Sequence, residues 1–342
     1  MQLHNIGWTG FFAIQQCPGT PARVASASRD RFTVWTEVGE LQAVVSGHLR
    51  RSDLMWPAVG DWVALRSGAA VIDHVFERKT LLSRKQPGKS IQEQVLAANV
   101  DVLFIVSGLD RDFNERRIER YLVIAQHSGA RPIILLNKAD LAPTLNLDLY
   151  QILDRLTHGT SVAVLPISAA TGHGIEQLNH LLAQGETAAL IGSSGVGKST
   201  LVNRLLCRSL QNTGEVRRDD DRGRHITTSR SMFITPAGWL LIDMPGLREV
   251  QLWTSPDQLD VSFEEIQRIA RNCRFRNCRH SGEPGCAIAQ SAIDPGRLDN
   301  YRKLQRELDY LDRKLDKRLM SETKARWKVI HKAMRHHPKN QG

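Results

Sequence analysis

The sequence predicts a multidomain α/β protein: an N-terminal β-barrel, a central doubly wound parallel α/β domain and a helical C-terminal module. Three observations carry that prediction. Short alternating apolar runs punctuated by glycine fill the chain up to residue 85. From Ile91, continuous apolar runs of the buried parallel type alternate with helical stretches. Beyond Pro256, apolar residues recur at spacings of three and four inside a basic background.

In the first region, Phe32–Thr36, Leu41–Ser46, Trp62–Leu65 and Ala70–Val75 read as strands, with Gly39, Gly47, Gly60 and Gly68 as turn residues. Five or so short strands suit a small closed barrel. An OB-fold is the commonest of these that binds RNA, and pattern alone does not separate it from an SH3-like barrel. Arg50, Arg51, Arg84 and Lys85 suit either a nucleic-acid face or solubility. In the second region, Val100–Val106, Pro132–Leu136, Val162–Ile167, Ala188–Ile191 and Trp239–Ile242 read as buried strands, with Arg116–Ser128 and Leu147–Leu156 as helices. In the third, Tyr301, Leu304, Leu308, Leu311 and Leu315 form one face of a long helix.

Composition narrows the class. A chain of 342 residues with 41% hydrophobic content accommodates two or three domains with ordinary cores. No run approaches the roughly 18 apolar residues of a membrane helix. Met1–Gly10 lacks the basic-then-apolar layout of a signal peptide, so a cytoplasmic monomer without a membrane partner is expected. The net charge is +10, and Tyr301 to Gly342 alone carries 13 Lys and Arg against 5 Asp and Glu. A localised excess of that size favours a polyanionic partner, or else a solvated helix face. Five cysteines in such a chain argue against a disulfide framework. Cys207, after Leu205 and Leu206 on a predicted helix, is expected to be a buried structural thiol.

The motifs of the central region are in an unusual order. Asn137-Lys138-Ala139-Asp140 comes first, then Ser168-Ala169-Ala170, then Gly192-Ser193-Ser194-Gly195-Val196-Gly197-Lys198-Ser199, and last Asp243-Met244-Pro245-Gly246. In an ordinary GTP-binding domain the P-loop opens the sequence. The rotated order predicts a circularly permuted P-loop GTPase domain, over 89–255, between a barrel over 1–88 and the module over 256–342.

Each motif has its chemistry. Gly192, Gly195 and Gly197 let backbone N–H groups of Ser193, Ser194, Val196 and Thr200 close on phosphates without a Cβ in the way. Lys198 would reach the β- and γ-phosphates, and the Ser199 hydroxyl would ligate Mg²⁺. The Asp140 carboxylate can accept from both N1–H and the 2-amino group of guanine, donors that adenine lacks, and such sites reject analogues by about 10⁴–10⁵ at best. Asn137 would brace the base-binding loops, the Lys138 stem would lie along the purine, and Ala169, following Ser168, would offer its N–H to guanine O6. Asp243 is placed to hold Mg²⁺ through water, and the Gly246 N–H to meet the γ-phosphate. Between the P-loop helix and that strand, Asp219–Asp221, Gly223 and Thr227–Thr228 suit a polar switch loop, with Thr227 first and Thr228 second as Mg²⁺ ligand. Many GTPases orient the attacking water with a Gln after the Asp-x-x-Gly motif, but here the residue is Leu247. His225 is the internal candidate for that role. A slow intrinsic rate, raised by a partner, is therefore expected.

Cys273, Cys278, His280 and Cys286 provide three thiolates and one imidazole, the donor set of a closed structural zinc site. The intervening Arg274, Phe275, Arg276 and Arg279 suit RNA contact.

Taken together, the permuted motif order, the Cys273/Cys278/His280/Cys286 cluster and the stretch Gln94–Asp101 resemble the ribosome small-subunit-dependent GTPase A (RsgA) family over nearly the whole chain. The resemblance implies an N-terminal OB-fold, a permuted GTPase and a C-terminal zinc domain. It implies GTP and GDP as ligands, the small ribosomal subunit and its rRNA as partner, and hydrolysis stimulated by that subunit in late assembly. It also implies a hydrolytic role for His225. The family commonly carries threonine directly after that histidine, where this chain has Ile226. The rival reading is a nucleotide-stabilised RNA-binding scaffold with little turnover, which Leu247 keeps open. A second is a GTPase reading anionic lipid through its basic tail.

Overall fold

A computed structural model of the protein describes residues 1–28, 30–51, 55–86, 93–157, 162–207, 230–244, 256–276 and 278–335. For helix residues 256–257, 315–316 and 318–335 it describes the backbone alone. The chain divides into two compact units, one of Met1–Arg84 with Gln94–Gln251 and one of Lys85–Glu93 with Leu252–Gly342.

The first unit opens with a 3-10 turn (Leu3–Ile6) and a short helix, α1 (Gly10–Ala13), followed by β1 (Thr20–Ser28), β2 (Arg31–Thr36) and β3 (Gly39–Val45). A one-turn helix, α2 (Gly47–Arg51), leads to β4 (Trp62–Leu65) and β5 (Val71–Val75). The strands pair in the order β1-β2-β3-β5-β4, and β4 returns to β1, so the sheet closes without an edge. This is the five-stranded Greek-key barrel of an OB-fold. Period-two alternation builds its core: Phe32 and Val34 of β2 point inward and Arg31 outward, and Ala22, Val24, Ala43, Val63 and Ile72 complete the cluster. Leu49 of α2 plugs one end.

Next come a two-stranded sheet of β6 (Leu81–Lys85) and β7 (Glu93–Ala98), then β8 (Val102–Gly108), α3 (Glu115–Ser128), β9 (Arg131–Asn137), α4 (Leu149–Thr157) and β10 (Ala163–Pro166). The helix α5 (Ile175–Asn179) precedes β11 (Thr187–Ile191), α6 (Lys198–Leu205), β12 (Ser231–Ile234) and β13 (Leu240–Asp243). These strands lie in the order β10-β9-β8-β11-β13-β12, parallel except for β12. Counted from the P-loop strand β11, the same sheet reads 6-5-4-1-3-2. An unpermuted chain would start at β11. Here the chain enters at β8, and the stretch between α5 and β11 joins what would otherwise be the two termini. The switch point of the sheet lies between β11 and β8, where α/β domains bind ligands at the C-terminal strand ends.

A buried polar strut ties the barrel to this sheet. Arg23 of β1 is fully buried and donates to the carbonyls of Gly60, Ile6 and Asn99 and to Thr187 Oγ1 at the start of β11. Its guanidinium stacks 5.6 Å from the Trp62 ring, and burial lowers its pKa to about 10 despite the nearby Asp101 and Asp61 charges. Beside it, Asp61 takes both Arg78 nitrogens at 2.7 and 2.8 Å and the Ala58 N–H at 2.7 Å. One ladder pair, Ser26 with Ser231, adds β12 to β1.

The second unit is helical. It contains α7 (Pro256–Ser262), α8 (Glu264–Ala270) and α9 (Pro295–Arg335). Asp294 accepts from the Arg297 N–H, and Pro295 fills the first helical position, so α9 starts with a cap and a residue that needs no N–H partner. Its Tyr301, Leu304, Leu308 and Leu311 are buried as the spacing predicts. The fifth member of the stripe, Leu315, is described in backbone only.

One expectation is corrected. Cys207 is exposed, with φ of 51°, because α6 ends at Leu205 and the chain turns left-handed before the helical period could bury it.

Candidate nucleotide and metal sites

The motif loops of the central domain follow the C-terminal ends of β8, β9, β10, β11 and β13. β11 ends at Ile191, the loop 192–197 follows, and α6 begins at Lys198. The tight curvature explains its glycines: a Cβ on Gly192 would lie 2.3 Å from the Val106 carbonyl oxygen, and one on Gly197 would lie 2.4 Å from Asn137 Nδ2. Ser199 and Thr200 sit in the first turn of α6, where unsatisfied N–H groups and the helix dipole favour an anion. The Lys198 ammonium donates to the carbonyls of Gly192 at 2.7 Å and Ser193 at 2.6 Å. Burial lowers its pKa to about 8, and the Asp243 charge partly opposes that shift. Asp243 itself ends β13.

Asn137 is the joint between loops. At 2% exposure it ends β9, donates from Nδ2 to the Val196 carbonyl of the P-loop at 2.8 Å and accepts the Ala169 N–H on Oδ1 at 2.9 Å. The next residue, Lys138, is left-handed with φ of 63° and pairs with Asp110 at 2.6 Å. Burial works against the Asp110 charge, but Lys138 and the Asp112 N–H outweigh it and hold the carboxyl below its ordinary range. Asp140 lies exposed in the one-turn segment Ala139–Leu141. Ser168 is buried and closes a compact turn: its N–H goes to the His173 carbonyl and its Oγ accepts from the Thr171 N–H.

Three residues that sequence reasoning passed over also shape this site. Asp110 follows β8 and positions Lys138. Arg117, in the first turn of α3, donates to Ser193 Oγ at 2.8 Å and to Asp112 at 3.1 Å. Arg204 of α6 donates to the carbonyls of Ala169 at 3.2 Å and Ala170 at 2.5 Å. Position was the available signal for Asp110, because it follows an apolar parallel strand at its C-terminal end. The two arginines had none, since a helix-surface arginine reads as solubility.

The remaining nucleotide-site candidates, His225, Thr227, Thr228 and Gly246, lie outside the described residues, as does Leu247.

In the second unit the loop between α8 and α9 gathers Cys273, Cys278, His280 and Cys286, with all four ligand atoms within 4.8 Å of one another. His280 Nδ1 is 3.6 Å from the sulfurs of both Cys273 and Cys286. That separation fits neighbouring vertices of a tetrahedron with metal–sulfur bonds of about 2.3 Å and metal–nitrogen bonds of about 2.0 Å. His280 has φ of 60°, and Arg302 of α9 donates to its carbonyl, so the long helix holds the loop's sharpest turn. The Ala287 N–H approaches Cys273 Sγ at 3.4 Å, an outer contact that suits a thiolate. Glu283 stitches the loop by accepting from the N–H groups of Arg279 and Ser281.

Comparison with known proteins places both sites in one context. The family model described as "RsgA GTPase" matches residues 75–253, and one described as "50S ribosome-binding GTPase" matches 187–320. The second begins at β11, the strand at which an unpermuted domain would start. The chain is 43% identical to the small ribosomal subunit biogenesis GTPase RsgA of Opitutus terrae, over 98% of this chain and 97% of that one. It is 42% identical to the protein of the same name from Methanosarcina acetivorans, over 90% and 85% respectively. Among solved structures, YjeQ from Thermotoga maritima matches with a TM-score of 0.64 and 27% identity, covering 84% of this chain and 98% of that one. The circularly permuted GTPase YloQ matches in fold with a TM-score of 0.61, covering 85% and 95%.

Proposed function

The chain belongs to the RsgA GTPase family, and from that premise we propose that it hydrolyses GTP to GDP and phosphate on the small ribosomal subunit, as a monomer in the cytoplasm. Hydrolysis is coupled there to a late maturation or release step. The observation that carries this reading is the Asn137 joint, which bonds the P-loop at Val196 and the base loop at Ala169 at once, so that phosphate and base are read by one rigid assembly.

In this reading Asp140 accepts from guanine and Asn137 holds the loops around the base. Lys138 lies along the purine, steadied by Asp110. The P-loop from Gly192 to Thr200 cradles the phosphates, whose oxygens replace the Gly192 and Ser193 carbonyls as acceptors for Lys198. Ser199, Asp243 and Thr227 are the residues that would hold magnesium, which when bound neutralises charge developing on the phosphates. Gly246 contacts the γ-phosphate, and His225 orients the attacking water in place of the glutamine that Leu247 excludes. Leucine has no group that can hold a water, so turnover alone is slow, and stimulation on the order of 10³–10⁵ by the partner would match completed GTPase sites.

Cys273, Cys278, His280 and Cys286 would hold one zinc ion, which closes the loop and leaves no position for catalytic water. The barrel over 1–88 and the metal module over 256–342, which precede and follow the GTPase domain over 89–255 in the sequence, supply basic surface for rRNA.

The test is GTP hydrolysis by purified protein alone, with small subunits and with large subunits, beside His225→Ala. A slow basal rate raised sharply by small subunits alone is expected. Loss of that rise in the variant, with GTP binding intact, would assign His225 to hydrolysis. No stimulation by either subunit would sink the proposal in favour of the scaffold.

A further inference from the structure

We propose that Arg84 and Arg230 form a binding site for a phosphate-type oxyanion, and that an RNA phosphate seated there fixes the end of the switch segment. The second half rests on the subunit-stimulated hydrolysis proposed above and names a contact that would carry it.

The two guanidiniums are anchored on neighbouring residues of β7. Arg84 of β6 donates from Nε to Gln94 Oε1 at 3.1 Å, and Arg230, immediately before β12, donates from Nη1 to the Val95 carbonyl at 2.8 Å. Both residues are half-buried. Burial lowers the pKa of each, and the Arg84 charge lowers that of Arg230 further. Among the described residues, no carboxylate pairs with either of them.

The other buried arginines of this unit are treated differently. Arg23 has four acceptors and lies in the field of Asp101 and Asp61, and Arg78 pairs with Asp61. Water can satisfy the spare donors of Arg84 and Arg230, but it does not cancel two like charges drawn together out of bulk solvent. One oxyanion between them does, through charge-assisted bonds from both guanidinium forks. A net charge of +10 makes a polyanion the natural source, and the rRNA partner of the proposed function supplies it as backbone phosphate.

Position gives the site its consequence. Ser231, next to Arg230, pairs with Ser26 of the barrel on one side and with Asp243, a proposed magnesium residue, on the other. Arg230 also comes three residues after Thr227 and five after His225. An anion held by both arginines replaces their repulsion with a shared counter-charge, and so ties β6 and β7 to this rung of the sheet. The segment carrying Thr227 and His225 is then fixed at its end when the partner is bound and not before. Because Leu247 holds no water, a partner that sets this segment supplies what the free protein lacks.

The experiment is thermal unfolding of the GDP-saturated full-length protein in a sulfate titration at constant ionic strength, beside Arg84→Gln, Arg230→Gln and Arg84→Lys. GDP fills the P-loop, so sulfate reports a different anion site, and the variants subtract the general stabilisation that sulfate gives any fold. Sulfate is expected to stabilise the wild type, with apparent affinity lower by about tenfold in both glutamine variants and partly kept in Arg84→Lys. A second arm replaces sulfate with a short single-stranded RNA, and a third measures hydrolysis with small subunits. RNA should protect the wild type more than the glutamine variants. GDP affinity and basal hydrolysis should match the wild type in every variant, while the stimulated rate falls on the order of tenfold in the glutamine variants. Equal sulfate protection of wild type and glutamine variants would overturn the anion site. Sulfate protection lost in the variants, with RNA protection and stimulation both at wild-type level, would mark a site for free phosphate and overturn the RNA contact. A wild type that small subunits do not stimulate would overturn the hydrolytic reading, with the sulfate comparison still deciding the anion site. Should Arg230→Gln fail to fold, Arg84→Gln carries every comparison alone.

Discussion

The two compact units hold their folds by different means. The barrel-and-sheet unit buries a large apolar cluster around β8, β11 and α6 and a second one inside the barrel. It can therefore bury Arg23 and the Asp61–Arg78 pair between them as fully hydrogen-bonded polar struts. Among the described residues the helical unit buries far less: Leu259, Phe263, Ile266 and Ile288 are buried together with one stripe of α9, and the loop 273–286 has almost no apolar content of its own. Four ligand atoms gathered within 4.8 Å take the place of a core there. A small module with a thin core needs a staple. A module with a deep core can use buried charge to fix the relation between its parts.

The largest effect should come from the staple. Apparent zinc affinities of folded sites amount to about 10–16 kcal/mol and are folding free energy where no site exists in the unfolded chain. Chelation, or Cys286→Ser, is expected to abolish the unfolding transition of the helical unit and leave that of the barrel-and-sheet unit in place. Calorimetry on the full chain, with metal analysis giving one zinc per chain, checks both halves. Helical structure that survives chelation unchanged would break the contrast, because it would show a core sufficient by itself.

Next in size is Asp61→Ala. It strands the Arg78 guanidinium, whose side chain is only 8% exposed, and frees the Ala58 N–H. Removing one partner of a buried pair costs about 3–5 kcal/mol. Denaturant unfolding should show that loss in the barrel-and-sheet unit alone. A loss below about 1 kcal/mol would mean that water reaches the pair and that the strut is ordinary surface chemistry.

The same contrast explains what was legible in the sequence. Strands β9, β11 and β13 are continuous apolar runs that end in or just before motif residues, and those runs place them to within a residue; the run Val100–Val106 places β8 to within two. The Cys₃His set needed only spacing. By contrast β1, Thr20-Pro-Ala-Arg-Val-Ala-Ser-Ala-Ser28, is mostly small residues, with a proline and the arginine that becomes the main strut. Nothing local marks it as a central barrel strand. β12 is four residues long and takes its order from its neighbours β13 and β1. The roles of Arg23, Asp61, Arg117 and Arg204 exist only in three dimensions: a charged residue in a sequence reads as surface until its acceptors are known. Cys207 failed for the converse reason, because a helical period was extended two residues past the end of its helix.

Within the nucleotide site, Asn137→Ala should sharpen the difference between fold and function. It leaves the Val196 carbonyl and the Ala169 N–H without partners, two bonds that join the P-loop to the base loop. GDP affinity is expected to fall on the order of 10²-fold, with a small loss in thermal stability. Nucleotide affinity that stayed within a factor of three would show that the loops hold their relation without this joint.

The smallest effect is a pH dependence, and it separates binding from folding by sign. Burial lowers the Lys198 ammonium to about 8, well under a free lysine. Phosphate oxygens favour the charged form, so the complex holds the proton to higher pH than the free protein does. GDP affinity should then be level below pH 8 and decline above it, by up to tenfold per pH unit. Folding responds the other way: between about pH 8 and the ordinary lysine range the unfolded chain binds the extra proton, so this residue's contribution to stability rises with pH. Affinity measured from pH 7 to 9.5 should bend downward in the wild type and lose that bend in Lys198→Gln, which binds weakly throughout. If the wild type showed no bend, the ammonium would be better solvated than its two carbonyl partners imply. The P-loop would then have to be more open than the separation of Lys198 from Gly192 and Ser193 allows.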